Sequence, residues 1–189
     1  MSTELGGLLA RFVALLDAAD VPFMVAGSFA STAHGMPRTT QDLDLVIDPP
    51  TAAALDALVR SLAPEQYYVD ADAARDALAR RSMFNVVDLA SGWKVDLILC
   101  KDRPFSRGEF GRRMNLTLLD VPVFVASAED TIVAKLEWSK QAGGSERQRR
   151  DVAGILATVG SELDRDYVER WVRDLDIEEE WRAAQATQA

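Results

Sequence analysis

Phe23-Met24-Val25-Ala26-Gly27-Ser28-Phe29-Ala30-Ser31-Thr32-Ala33-His34-Gly35-Met36-Pro37-Arg38-Thr39-Thr40-Gln41-Asp42-Leu43-Asp44-Leu45-Val46-Ile47 holds two short apolar segments separated by a Gly-Ser turn, a helical run and a Pro-containing break. Phe23 to Ala26 is a short apolar strand stopped by Gly27-Ser28, and Phe29 to His34 reads as a helix opening directly on that turn. Gly35-Met36-Pro37 breaks the helix, and Leu43 to Ile47 forms the next strand, closed by Asp48-Pro49-Pro50. Side chains alternate along a strand, so Asp42 and Asp44 leave one face while Leu43 and Leu45 leave the other.

Working outward, Leu8, Leu9, Phe12, Leu15 and Leu16 recur at helical spacing within Leu5 to Ala19, ended by Asp20-Val21-Pro22. Downstream, Thr51 caps a helix from Ala52 to Leu62, Gln66 to Val69 is a short strand, and Ala71 to Arg81 has helical composition. Met83 to Leu89 and Trp93 to Leu99 are strands joined by Ala90-Ser91-Gly92 as a hairpin. After Lys101-Asp102-Arg103-Pro104 a stretch that reads as mobile runs to Arg113, followed by short apolar runs at Leu116 to Leu119 and Val121 to Val125. Then the character changes. Ser127 caps a helix from Ala128 to Gln141, Gly143-Gly144 separates it from a helix over Glu146 to Thr158, and the acidic tail from Asp164 to Ala184 is helical. The expectation is a mixed α/β fold: a catalytic core over 1–126 with helices packed on a mixed sheet, and a helical C-terminal subdomain over 127–189.

With 189 residues, 48% of them hydrophobic, the chain suits one such core with a helical appendage. The single cysteine, Cys100, can form neither an internal disulfide nor a thiolate zinc site, which fits a reducing cytoplasm. No segment approaches the ~20 apolar residues of a membrane span, so a cytoplasmic protein with no membrane partner is expected. The net charge of −9 and pI near 4.7 argue against broad nucleic-acid binding, which draws on many Lys/Arg–phosphate contacts. Arg80-Arg81, Arg112-Arg113 and Arg147-Gln148-Arg149-Arg150 nevertheless group positive charge locally.

Two carboxylates on one strand face suit a hard cation such as Mg²⁺. Asp-x-Asp also occurs at Asp70/Asp72, Asp164/Asp166 and Asp174/Asp176, so spacing does not single out Asp42 and Asp44; their strand and the upstream Gly27-Ser28 do. A helix N-terminus beside a glycine offers N–H groups and dipole to a phosphate, and the serine hydroxyl adds a donor; the plain alternative is a turn capped by Ser28. Asp96 lies in the apolar strand Trp93 to Leu99, where an unpaired charge is costly. A metal would compensate it, and so would a salt bridge to Lys94 or Arg38. Asp88 on the preceding strand is the alternative third acid, and a one-residue slip of the hairpin would exchange the faces.

Gly27-Ser28, Arg38, Thr40 and Asp42-Leu43-Asp44 together resemble the signature of the DNA polymerase beta-like nucleotidyltransferase superfamily. The nearest flavour is the small bacterial group related to the AbiE-type toxin nucleotidyltransferases. The resemblance covers the N-terminal half well and the C-terminal helices loosely, through Glu129-Asp130, Lys135 and Arg150-Asp151. It implies two Mg²⁺ ions and transfer of a nucleoside monophosphate from a nucleoside triphosphate, ATP among them, to an unidentified acceptor (RNA, protein or small molecule). Asp42 and Asp44 would bind both metals, Asp96 one of them, and Gly27 and Ser28 the triphosphate. Arg38, Thr40, Lys135 and Arg150 are further candidate phosphate contacts. His34, the only histidine, is expected to pack or cap its helix, and Trp138, Trp171 and Trp181 to serve as core or interface anchors. Two alternatives stand beside this reading: an inactive nucleotide- or partner-binding module of the same fold, and a helical interaction protein docking a basic partner through Asp174 to Glu180.

Overall fold

The computed structural model describes residues 2–36, 40 and 42–187. The chain forms two compact units: Met1–Ala26 with Thr40–Val125, and Gly27–Thr39 with Ala126–Ala189. The short helix after Gly27, expected in the N-terminal half, therefore packs with the C-terminal helices.

The first unit holds β1 (Phe23–Val25), β2 (Asp42–Ile47), β3 (Tyr67–Val69), β4 (Met83–Asp88), β5 (Lys94–Leu99), β6 (Met114–Leu118) and β7 (Val121–Val125), in the sheet order β3-β4-β5-β2-β1-β7-β6. β2 runs parallel to β5 and β1 parallel to β7; the other pairs are antiparallel. One sheet face is largely apolar: Leu43, Leu45, Ile47, Phe84, Val86, Val95, Leu97, Leu99, Val123 and Val125 are all buried. Helices α1 (Ser2–Ala18), α3 (Ala52–Ser61) and α4 (Ala71–Arg80) cover it, with Phe12 of α1 edge-on to Tyr67 at 5.6 Å. Leu8, Leu9, Phe12 and Leu16 supply the buried stripe of α1 at the spacing that the 3.6-residue period requires.

The caps follow the chemistry of their residues. Thr51 Oγ1 accepts from Ala54 N–H at 3.1 Å, and Asp70 accepts from two N–H groups of α4. Beyond α4, Arg81 takes a left-handed conformation (φ 50°) and donates to Asp48 Oδ1 (3.0 Å) and the Cys100 carbonyl (3.2 Å), tying together the ends of β2 and β5. Cys100 is buried, and that burial pushes its thiol pKa up.

One connection differs from expectation. The stretch after Arg103, read as mobile, contains helix α5 (Pro104–Gly111) with Phe105 and Phe110 buried. Pro104 stands at its start, where a missing N–H costs nothing, and the two buried aromatics outweigh the low helix propensity of Gly108 and Gly111.

The second unit is helical: α2 (Gly27–His34), α6 (Ala128–Gln141), α7 (Glu146–Val159), a 3₁₀ turn (Gly160–Glu162), α8 (Arg165–Asp174) and α9 (Glu178–Gln185). The acidic tail is thus two helices, interrupted where Asp176 turns left-handed (φ 55°). α2 meets α7 closely: a Cβ on Gly35 would lie 2.9 Å from the Ile155 nitrogen, so only glycine fits there. Ser127 caps α6, accepting from Asp130 N–H at 3.1 Å, and the fully buried Asp130 carboxylate accepts from the Ser127 (2.8 Å) and Tyr167 (2.5 Å) hydroxyls. Among the described residues no helix is long and apolar enough to cross a membrane.

Candidate active site

The parallel register of β2 and β5 sets Asp42 opposite Lys94 and Asp44 opposite Asp96. Side chains directly opposite one another share a face, so Asp42, Asp44, Lys94 and Asp96 all leave the sheet away from the apolar face that α1, α3 and α4 cover. Where β1 ends, Ala26 N–H donates to the Asp44 carbonyl at 3.0 Å; Gly27 is the next residue.

The carboxylates differ in exposure. The Asp42 side chain is 50% exposed and that of Asp96 only 9%. Asp96 cannot stand there uncompensated. Lys94 Nζ lies 3.1 Å from Asp96 Oδ2 and 3.6 Å from Asp42 Oδ1, and Asn85 Nδ2 donates to Asp96 Oδ1. Burial works to lower the Lys94 pKa, but the hydrogen bond to Asp96 and the charges of Asp96 and Asp42 outweigh it and raise the ammonium above its ordinary value. Asn85 is a site residue that the sequence reading missed. It sits opposite Asp96 across the β4–β5 hairpin, so the register that places Asp96 would also have found it.

Asp88 is excluded from this cluster by strand parity. It shares the apolar face with Phe84 and Val86, where it pairs with Arg11 at 3.5 Å and accepts from the Ser91 hydroxyl. The site face carries Asn85 instead. Among the described residues no three His, Cys, Asp or Glu side chains are gathered closely enough to hold a metal ion. The donor set nevertheless suits a hard cation: it is all carboxylate oxygen, and two of its members already share a positive charge.

The other candidates fall as follows. Thr40 Oγ1 accepts from the Asp42 N–H at 3.4 Å, so this threonine bonds the turn leading into β2. Gly27, at φ 55°, and the buried Ser28 form the first turn of α2, and Ser31 Oγ donates to the Ser28 carbonyl at 3.0 Å. His34 Nε2 meets the Ala126 carbonyl at 2.7 Å, a packing role within the helical unit. Arg38 lies outside the described residues. Lys135 is buried in the helical unit, where it donates to Asp151 (2.7 Å) and Gln148 (3.1 Å), joining α6 to α7. Arg150 pairs with Glu146 on the surface of α7. Trp181 is a core anchor, whereas Trp138 is exposed on α6.

No family model and no curated protein matches this chain. Solved structures do match it. The antibiotic-resistance factor ANT(2'')-Ia is 16% identical, with 98% of this chain and 96% of that one covered at a TM-score of 0.60. An antigenic nucleotidyltransferase-like protein from Paracoccidioides brasiliensis is 18% identical (99% and 93% covered, TM-score 0.56). The lincosamide antibiotic adenylyltransferase LnuA, bound to lincomycin, is 12% identical (78% and 93% covered, TM-score 0.53). These likenesses establish the fold: a mixed-sheet α/β core of the nucleotidyltransferase type with packed helices, followed by a helical C-terminal portion.

Proposed function

We propose that this chain transfers a nucleoside monophosphate from a nucleoside triphosphate to a hydroxyl of an acceptor, releasing pyrophosphate. The observation that carries the reading is the cross-strand pairing of Asp44 with Asp96, which turns the third acid onto the face of Asp42 and Asp44. These three carboxylates would hold Mg²⁺, which when bound would favour the ionised acceptor oxygen and stabilise the charge of the leaving pyrophosphate. The acceptor oxygen forms its bond to the α-phosphorus as the bond to pyrophosphate breaks, and the hydroxyl proton passes to a carboxylate oxygen of Asp96. Gly27 and Ser28 would receive the triphosphate on the N–H groups of the first turn of α2. Thr40, and Arg38 four residues before Asp42 in the sequence, would be further phosphate contacts. Lys135 would have to abandon Asp151 to join them, and we assign it to holding α6 against α7.

A small-molecule acceptor is favoured over the RNA or protein acceptor of a toxin-like enzyme. ANT(2'')-Ia and LnuA act in antibiotic resistance and on an antibiotic respectively, and the net charge of −9 opposes a long polyanion. The test is transfer of label from α-³²P nucleoside triphosphates, with Mg²⁺, to a panel of aminoglycosides, lincosamides, RNA and protein. We expect labelled small molecule from the wild type and none from Asp44→Asn or Asp96→Asn. Transfer that survives Asp44→Asn, or label on no acceptor with any nucleotide, would overturn the assignment.

A further inference from the structure

Lys94 stands where this site calls for a cation. It precedes Asp96 by two residues on β5 and faces Asp42 across the strand pair, so its ammonium reaches both carboxylates from one position. We propose that Lys94 is a built-in counter-cation. Without a divalent ion it occupies the place between Asp42 and Asp96, and it surrenders that place when a metal–nucleotide complex arrives, turning its charge to a phosphate oxygen. The inference rests on the nucleotidyl-transfer reading above.

Three observations converge on it. The nearly buried Asp96 needs a positive partner at all times, and Lys94 supplies one while no metal is bound. The Lys94 side chain is 41% exposed, and a four-carbon stem that free of packing can swing away. Finally, three acids share the face, and two of them, Asp42 and Asp96, already lie beside the Lys94 ammonium. The consequence is an ordering. A divalent ion alone must compete with Lys94, whereas an ion that brings phosphate offers the lysine a new partner, so metal and nucleotide bind together.

The test is Mn²⁺ binding followed by electron paramagnetic resonance, without nucleotide and with a non-hydrolysable ATP analogue, on the wild type, Lys94→Gln, Lys94→Arg and Asp44→Asn. Removing one charge ~4 Å from the site in a water-like medium predicts that Lys94→Gln binds Mn²⁺ alone at least about fivefold more tightly than the wild type. The analogue should strengthen Mn²⁺ binding in the wild type and Lys94→Arg more than in Lys94→Gln. In the unmutated chain, reductively ¹³C-methylated, the Lys94 signal should move on adding Mg²⁺ with the analogue, a readout independent of how any variant folds. Equal Mn²⁺ affinity of wild type and Lys94→Gln, with binding lost in Asp44→Asn, would sink the counter-cation and leave the metal site standing. No Mn²⁺ binding by any of the folded proteins, even with the analogue, would sink both.

Discussion

Lys94 and Lys135 each bridge an ammonium to carboxylate, and their surroundings are opposite. Lys135 and Asp151 are 5% and 8% exposed between two helices, with Gln148 taking a further donor of the lysine. Lys94 is 41% exposed on an open sheet face, where it serves two carboxylates at unequal distance. A sealed pair cannot exchange partners without exposing a charge to an apolar interior; an open pair can exchange them at little cost. The same two residue types therefore serve architecture in the helical unit and chemistry in the sheet unit.

The comparison breaks most readily in the helical unit. Lys135→Met removes a buried ammonium that Asp151 accepts from and should destabilise the protein by up to about 3–5 kcal/mol in urea unfolding. Adding Asp151→Leu should recover most of that loss; if the single variant unfolds like the wild type, the pair is not architectural. At Lys94 the effect on folding should be smaller for Lys94→Gln, since the lysine is 41% exposed and Asn85 still donates to the nearly buried Asp96. A Lys94→Gln protein as unstable as Lys135→Met would erase the distinction. Smaller again is the response of the Cys100 thiol. Burial raises its pKa and withholds thiolate, so the native protein should react with a disulfide reagent much more slowly than the denatured chain. A fast native reaction would mean that the β5 end tied by Arg81 opens readily.

Much of this contrast lay in the sequence, unevenly. Alternation in Asp42-Leu43-Asp44-Leu45 announced a strand with an acidic face, and Ser127 marked the start of α6 because both signals are local. The choice between Asp96 and Asp88 could not be made locally. It depends on the hairpin register, and strand pairing fixes that register by burying Phe84, Val86, Val95 and Leu97. Lys135 read as a candidate phosphate contact because its partner, Asp151, lies on a different helix and meets it only through packing. Helix α5 was hidden by Gly108, Gly111 and Pro104, whose weak propensity is overruled by the burial of Phe105 and Phe110. What is local was legible, and what arises from packing was not.

If Asp42 and Asp44 form a metal-dependent nucleotide site, calorimetric titration of each nucleoside triphosphate with Mg²⁺ into the wild type and the Asp42→Asn/Asp44→Asn double variant will reveal it. Metal-dependent binding by the wild type that the folded double variant loses is the predicted result. Binding that persists in the double variant, or no binding of any nucleotide by well-folded wild type, would contradict it.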